Sequence, residues 1–240
     1  MILEVQSKNR YFYLLLNHNF TLLVRQRLIL NINPSEEIRI ITKTKLFKRM
    51  IEIYNYLNSI SPIQKDTWNK VRKLFSETTL KKGEYFIHDG DMAKKIGYVF
   101  NGVIRAFYRN SEGAEYNKHF FTVNSLAGGY SSLITKTPNT INQQALTDCI
   151  IFTANYEDMV NLYESNRDLE TFSRKLAELY FVHKEQREVD IVMLDADKRY
   201  AIFQKEFPNL EQLIPQYHIA SYLGITPTQL SRIRRKLAKM

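Results

Sequence analysis

The distribution of glycine is the feature that most restricts the folds open to this chain of 240 residues. Seven of its eight glycines lie between residues 83 and 129, and none occurs from Tyr156 until Gly224. Between residues 80 and 155 the glycines separate short runs rich in Tyr, Phe, Ile and Val, a pattern typical of strands joined by turns. The glycine-poor remainder favours helices. The sequence therefore predicts an α+β protein in which an antiparallel β part precedes a helical part.

Five strands are predicted in the glycine-rich part, at residues 85–88, 97–100, 103–108, 115–121 and 149–154. Between the third and the fourth, the four residues from Asn110 to Gly113 have the composition of a hairpin turn. Short strands at this spacing favour a small barrel or roll.

A short amphipathic helix is predicted before the β part. Ser61 has the character of an N-cap, and Pro62 fits the first position of a helix. Apolar residues follow this start at helical spacing, and they are Trp68, Val71, Leu74 and Phe75.

A long helix is predicted after the β part. Its apolar residues recur at intervals of three and four, and they are Leu169, Phe172, Leu176, Leu179 and Tyr180. This stripe could pack against its own domain or against a second copy of the chain, and the sequence leaves both open. Asp195 is expected to cap the next helix, which Pro208 ends. The residues expected to face inward on that helix are Tyr200, Ala201, Phe203 and Phe207.

Residues 1–49 differ in composition from the rest of the chain. They contain nine basic residues against three acidic ones, and they show no sustained helical or strand period. This pattern predicts a poorly ordered extension. Met50 opens a more regular sequence, so we hypothesise that translation starts there.

The charge of the chain favours an anionic partner. Its net charge is +9 and its pI is near 9.4, although charge alone does not separate nucleic acid from a membrane surface. No acidic residue follows Glu211, whereas the last stretch carries Arg232, Arg234, Arg235, Lys236 and Lys239. A membrane span is not expected, because no run of about 18 apolar residues occurs.

Cysteine and histidine give no sign of a metal site. The single cysteine, Cys149, excludes an internal disulfide and a four-cysteine cluster, and it fits a reducing cytoplasm. Four histidines, His88, His119, His183 and His218, are not spaced as metal ligands are. Paired carboxylates, a nucleophile elbow and a phosphate loop are also lacking from the sequence, so neither an enzyme nor a cofactor is predicted.

Residues 215–237 have the spacing of a helix-turn-helix. Ala220 is small where two helices would cross closely, and Gly224 permits a left-handed turn conformation. Thr226, Pro227 and Gln229 form a capping box that starts the second helix. The stripe expected to be buried on that helix consists of Leu230, Ile233 and Leu237.

The exposed positions of this motif are the candidates for contact with DNA. Thr228, Gln229 and Arg232 lie near the start of the second helix and are expected to read bases, since arginine pairs well with guanine and glutamine with adenine. Gln216, at the start of the first helix, is better placed for a phosphate, as are Arg235 and Lys236. The predicted DNA-binding residues are Gln216, Thr226, Thr228, Gln229, Ser231, Arg232, Arg235 and Lys236.

From Met50 to its end the chain resembles the Crp/Fnr superfamily of bacterial transcription regulators. The most specific match is the run from Ile219 to Pro227, and stretches that begin at Leu80, His88 and Tyr98 match the β-roll of that superfamily.

The resemblance implies three domains after the extension at residues 1–49. These are an antiparallel β-roll of the cyclic-nucleotide-binding type (a double-stranded β-helix) at residues 50–165, a dimerisation helix at 166–194, and a winged-helix-like helix-turn-helix domain at 195–240. The implied partners are double-stranded DNA with a palindromic operator, a second copy of the chain and RNA polymerase.

The β-roll departs from the members that bind cyclic nucleotides, which carry a Gly-Glu-Leu type turn and then an arginine for the cyclic phosphate. Here the turn from Ala127 to Leu133 lacks the carboxylate, and no basic residue occurs between Lys136 and Ala145. A cyclic nucleotide is therefore not expected, and one cysteine cannot hold an iron-sulfur cluster. The effector stays unassigned, since Tyr130, Gln143 and Gln144 either line a remnant pocket or are polar surface residues. The alternative function is a signalling module that mainly senses a ligand, either a cyclic nucleotide or another small molecule.

Overall fold

A computed structural model describes residues 34–238, which divide into two units with the boundary between Tyr56 and Leu57. The described part of the first unit is helical and belongs to α1 (Pro34–Ile60), which continues past Met50 without a break. Residues 1–33 of the predicted extension lie outside the described residues. The order of that extension and the start at Met50 stay predictions.

The second unit contains an antiparallel β-roll made of two four-stranded sheets. Its strands are β1 (Ser76–Leu80), β2 (Tyr85–Ile87), β3 (Lys95–Asn101), β4 (Ile104–Arg109), β5 (Glu115–Phe121), β6 (Ser125–Ala127), β7 (Asn142–Ala145) and β8 (Cys149–Asn155). The first sheet has the order β1-β8-β3-β6 and the second the order β2-β7-β4-β5, with antiparallel pairing throughout.

The five predicted strands are confirmed, and the sequence does not predict β1, β6 and β7. β7 reads Asn-Gln-Gln-Ala and is polar, yet Asn142 and Gln143 are buried because the roll closes around them. The predicted hairpin turn is also confirmed, since the N–H of Gly113 donates to the carbonyl of Asn110 at 3.0 Å. Gly113 has a φ of 84°, which glycine adopts most readily.

The first predicted helix begins later than the sequence indicates. α2 (Lys65–Val71) has Gln64 at its N-cap, so the prediction that Ser61 caps this helix was wrong. The acceptor comes from a distant part of the chain, because Asp168 accepts from the N–H of Gln64 at 2.8 Å and from the hydroxyl of Thr67 at 2.9 Å. A carboxylate near a helix N-terminus makes a local cap unnecessary.

Two short helices, α3 (Tyr130–Thr135) and α4 (Tyr156–Val160), flank the later strands, and the C-terminal part is helical. Its helices are α5 (Arg167–Met193), α6 (Ala196–Glu206), α7 (Leu210–Leu213), α8 (Gln216–Leu223) and α9 (Pro227–Leu237). The α+β class with a roll, a long helix and C-terminal helices is thus confirmed. Between residues 156 and 238 the structure has no strand, and only Ala238 is described beyond α9, so the sheet wing of a winged helix is not seen there.

The apolar stripe of α5 is buried only at its start. Leu169 and Phe172 are buried, whereas Leu179 and Tyr180 are 48% and 37% exposed. Tyr200 and Phe203 on α6, and Phe207 at its C-cap, pack inward as predicted. Ala201 is exposed, contrary to prediction, because one residue along a helix turns the side chain by about 100°.

The C-terminal helices pack on the outer face of the second sheet. Val103 and Phe120 share one buried cluster with residues of α6 and α8, including Phe203. Their strand neighbours Ile104 and Phe121 belong instead to the cluster inside the roll. Successive residues of a strand point to opposite faces, so the sheet is covered on both sides.

Candidate nucleic-acid interface

The first helix of the predicted motif is α8, and it ends in the turn that the sequence indicates. Ile219, Ala220 and Leu223 are buried on it, and Ala220 is 0% exposed where the helices cross. Gly224 follows in the left-handed conformation with a φ of 68°. The N–H of Ile225 donates back to the carbonyl of Ala220 at 3.0 Å. This closure reverses the chain before α9 begins.

The second helix, α9, starts with the predicted capping box. The side chain of Thr226 accepts from the N–H of Gln229 at 3.2 Å, and the side chain of Gln229 accepts from the N–H of Thr226 at 2.9 Å. Pro227 occupies the first turn, where it needs no hydrogen-bond donor. The start of α9 is therefore fixed by its own sequence.

α9 has one buried and one exposed side. Leu230 and Ile233 are buried, but Leu237 is 38% exposed, so the predicted stripe is one residue too long. Seven of the predicted DNA-binding residues are exposed on α9 or at its N-cap, and they are Thr226, Thr228, Gln229, Ser231, Arg232, Arg235 and Lys236.

Ion pairs separate the cations of α9 into two groups. Lys236 binds Asp197 at 2.6 Å, a contact that raises the pKa of Lys236, and Arg234 lies 3.5 Å from Glu211. Within residues 34–238, the structure gives Arg232 and Arg235 no ion pair. These two guanidinium groups are therefore the ones most available to an anionic partner.

Gln216, the predicted phosphate contact on α8, is turned toward the protein. Its side-chain amide donates to the carbonyl of Glu211 at 3.2 Å, and its Oε1 is buried without a hydrogen-bond partner among the described residues. The structure thus does not place Gln216 with the exposed side of α9, and a role in DNA contact stays a prediction.

α8 is attached to β5 by hydrogen bonds that the sequence does not predict. The side-chain amide of Asn117 donates to the carbonyl of His218 at 2.9 Å, and the N–H of Asn117 donates to the hydroxyl of Ser221 at 3.0 Å. That hydroxyl donates in turn to the carbonyl of Glu115 at 3.1 Å. The partners lie about 100 positions apart, so no local pattern could have revealed them.

A buried arginine lies beside these bonds. Arg105 binds Glu115 at 2.6 Å and Gln144 at 2.7 Å, and its Nη1 is 3.4 Å from Nδ1 of His218. Burial acts to raise the pKa of Glu115, but hydrogen bonds from Arg109 and Arg105 outweigh it and hold this pKa below its ordinary value. Burial, with the charge of Arg105, lowers the pKa of His218 to about 4.

The other end of α8 is held by arginines of the preceding helices. Arg187 of α5 donates to the carbonyl of Tyr222 at 2.7 Å, and Arg199 of α6 donates to the carbonyl of Leu223 at 3.2 Å. These carbonyls lie in the last turn of α8 and lack partners within that helix. Cations there also interact favourably with the helix dipole.

Comparison with known proteins agrees with this architecture. Residues 77–166 match the family model of the cyclic nucleotide-binding domain, whereas no curated protein matches the sequence. The structure is similar to that of FixK2 from Bradyrhizobium japonicum, with 17% identity, a TM-score of 0.61, and coverage of 69% of this chain and 85% of that one.

Two further structures give the same result. CLP, a c-di-GMP responsive global regulator from Xanthomonas campestris, is 15% identical with a TM-score of 0.56, over 73% of this chain and 92% of that one. A protein from Eubacterium rectale, assigned to the Crp/Fnr family of transcriptional regulators, is 19% identical with a TM-score of 0.56, over 73% and 84%. This chain has the Crp/Fnr fold. The resemblance expected from residues 50–240 is thereby confirmed.

The described residues of the roll do not fit a cyclic nucleotide bound in the usual way. In the turn after β6, Gln143 donates to the carbonyl of Gly128 at 2.8 Å, and a Cβ at Gly129 would lie only 3.0 Å from Oδ1 of Asn139. The turn itself, from Ala127 to Leu133, has no charged side chain. The buried Arg105 pairs with residues on the outer face of the second sheet, away from the turn. The turn therefore supplies no cation of its own for a cyclic phosphate.

Tyr130, Gln143 and Gln144 do not line one pocket. Tyr130 is 55% exposed, Gln143 is buried inside the roll, and Gln144 contacts Arg105 outside it. Within the described chain, no three His, Cys, Asp or Glu side chains are grouped so that they could hold a metal ion. The described helices are all too short or too polar to cross a membrane.

Proposed function

We propose that this chain is a transcription regulator of the Crp/Fnr type that binds a palindromic DNA operator as a homodimer. The observation that carries the proposal is the exposed side of α9, where Arg232 and Arg235 lie unpaired within the described chain beside Thr228 and Gln229. An exposed basic helix, held by a tight turn on a packed first helix, matches the dimensions of the DNA major groove. RNA polymerase is the further partner that such a regulator would contact, and no enzymatic activity is proposed.

The second half of α5 supports the homodimer. Four of its exposed apolar residues follow the three-and-four spacing of a coiled-coil seam, with Gln186 at the position between the second and the third. They are Leu179 (48% exposed), Val182 (59%), Val189 (53%) and Met193 (74%). A single chain leaves this stripe in water, whereas a second copy would bury it. Paired long helices would set the separation of two α9 helices, which must be about 34 Å to enter successive major grooves.

The effector is left unidentified. The turn after β6 supplies neither charge that a cyclic nucleotide needs, which argues against the alternative of a module devoted to sensing that ligand. The c-di-GMP response of CLP is a property of that protein.

Selection of sequences from a random DNA pool with the full chain tests the proposal. We expect enrichment of a two-fold symmetric site with half-sites about one helical turn apart. Arg232→Ala should relax the preference at one position of each half-site and weaken binding by about 1–3 kcal/mol. Enrichment of no sequence would contradict the proposed function, and equal loss on all sequences would remove Arg232 from base reading.

Sedimentation of the full chain tests the dimer separately. Val182→Glu places a charge in the stripe and should convert a dimer to a monomer. Lys184→Glu is the matched control, because two positions along a helix place it roughly half a turn away from the stripe. A wild-type monomer, or dissociation by both variants alike, would contradict a seam at this stripe.

A further inference from the structure

The junction between α8 and β5 contains a buried polar side chain, Asn117, where an apolar one of the same size would fit. Asn117 is 4% exposed, and its Oδ1 is buried without a hydrogen-bond partner among the described residues. An orphaned buried acceptor destabilises the folded state. A leucine at this position would have nearly the same size and no such atom. The asparagine therefore is not explained by stability alone.

The polar contacts fix how α8 lies on the sheet. Two residues of β5, Glu115 and Asn117, point the same way along the strand, and they meet His218 and Ser221, which share one face of α8. Hydrogen bonds depend on direction and distance, whereas apolar contacts tolerate sliding and rotation. Buried polar groups of this kind are known to select one arrangement among several at the expense of stability.

The imidazole ring of His218 must be neutral in this arrangement. Its Nδ1 faces two donors, Nη1 of Arg105 at 3.4 Å and Nδ2 of Asn117 at 3.3 Å. Arginine stays protonated in proteins, so Nδ1 of His218 acts as an acceptor and the ring proton is on Nε2. A second ring proton would point at both donors.

The junction holds the motif without covering its exposed side. β5 contacts α8, and α9 packs on α8 through Leu230 and Ile233. The outer residues of α9, including Arg232, stay exposed. This geometry presents α9 to a partner.

We propose that Asn117, His218 and Ser221 form a polar lock that holds the helix-turn-helix on the β-roll in the orientation that binds DNA. The proposal rests on the function proposed above and names how that function is controlled. A motif held in place before binding avoids the loss of conformational freedom on binding, so opening the lock weakens DNA binding although none of its residues touches DNA. The β-roll thereby acts on α9 through β5.

Two variants of the full chain open the lock in different ways. Asn117→Leu removes the orphaned acceptor, which favours the folded state, and also the amide that donates to His218, which disfavours it. The free energy of unfolding should therefore change little, while operator binding weakens about tenfold. Ser221→Ala removes the bridging hydroxyl and should weaken binding in the same direction, whereas Ser221→Thr keeps the hydroxyl and should restore it. The matched control is Val99→Ala, which destabilises the interior of the roll without touching α8.

Two readouts separate the lock from the proposed function. Hydrogen exchange of the amides of residues 216–223, measured without DNA, should be faster in Asn117→Leu than in wild type. Affinity for the selected operator should fall with an unchanged salt slope, because the phosphate contacts are the same.

Unchanged exchange would show that there is no lock, and unchanged or tighter operator binding would show that the docked orientation is not the DNA-binding one. If Val99→Ala lost as much operator affinity, the loss in Asn117→Leu would be explained by lower stability and not by an opened lock. Failure of the wild type to select any operator would remove the proposed function together with the DNA-binding part of this inference, while the exchange result would still decide whether the lock exists.

Discussion

The guanidinium carbon of Arg187 lies 3.6 Å from the centre of the Tyr222 ring, and the same side chain donates to the Tyr222 carbonyl at 2.7 Å. One residue of the long helix thus holds both the ring and the backbone at the end of α8. The hydroxyl of Tyr222 donates onward to Glu206 at 3.0 Å, so α5, α6 and α8 meet at this ring. The proposed dimer helix and the proposed DNA-binding motif are linked here.

Arg187→Lys should destabilise the protein, because lysine keeps the charge but cannot stack its planar group while donating to the carbonyl. We expect the free energy of unfolding to fall by about 1 kcal/mol for Arg187→Lys and by about 2–3 kcal/mol for Arg187→Ala. Denaturant titration measures both. Arg174→Lys, at an exposed ion pair on the same helix, is the control and should be nearly neutral. An equal effect of the two lysine variants would contradict a specific role for Arg187.

Thr226→Ala should lower the free energy of unfolding by about 1 kcal/mol, since it removes the acceptor for the Gln229 N–H at the start of α9. Thr226→Ser keeps that oxygen and should stay close to wild type. Thr228→Ala is the matched control, being an exposed threonine in the same helical turn. If Thr226→Ser lost as much stability as Thr226→Ala, the loss would come from the missing methyl group and not from the missing cap.

Stability should decrease as the pH falls from 7 to 5. Burial is the main cause that lowers the pKa of His218 and of His119 to about 4, from an ordinary value of 6.5. Between these values the unfolded chain binds more protons than the folded one, so acid favours unfolding. One pKa unit corresponds to about 1.4 kcal/mol, which gives a loss on the order of 1–2 kcal/mol per histidine at pH 5.

The charged groups that face the two histidine rings shift the pKa values of these rings in different directions. Arg105 lowers and Glu115 raises the pKa of His218, whereas Arg187, Lys118 and His183 all lower that of His119. Urea unfolding at pH 7 and pH 5 measures the loss, and His218→Gln should shrink the difference between the two. An unchanged difference would show that His218 does not titrate in this window.

Cyclic AMP at 1 mM should leave the melting temperature unchanged. A ligand that binds the folded state with a Kd of about 10 μM would stabilise it by about 2.7 kcal/mol at that concentration. The turn at Gly128 and Gly129 offers no cation for the phosphate, so we expect no such effect. A reproducible rise would show that groups other than a turn arginine bind the nucleotide.

The local patterns of the chain were sufficient to place the motif near its end. A threonine, a proline and a glutamine at fixed spacing fix the start of α9, and Gly224 fixes the turn, because caps and left-handed turns depend on neighbours a few residues away. Alternating and glycine-punctuated runs indicated five strands for the same reason.

Such local patterns could not predict the contacts between distant segments. Asp168 replaces Ser61 as the cap of α2, and the polar strand β7 is held by the strands that pair with it. Gln216 is of a residue type that often contacts phosphates, but its side chain turns inward and binds Glu211.

The sequence by itself determined the order of β and helical parts, the turn between α8 and α9 and the basic face of α9, since each depends on residue spacing within a few turns. Only the tertiary structure decided that the motif packs on the second sheet, that Asn117 meets His218, and that Arg187 holds Tyr222. The physical reason is that buried hydrogen bonds across 35 to 101 positions are set by which surfaces exclude water together, and no periodicity along the chain records that choice.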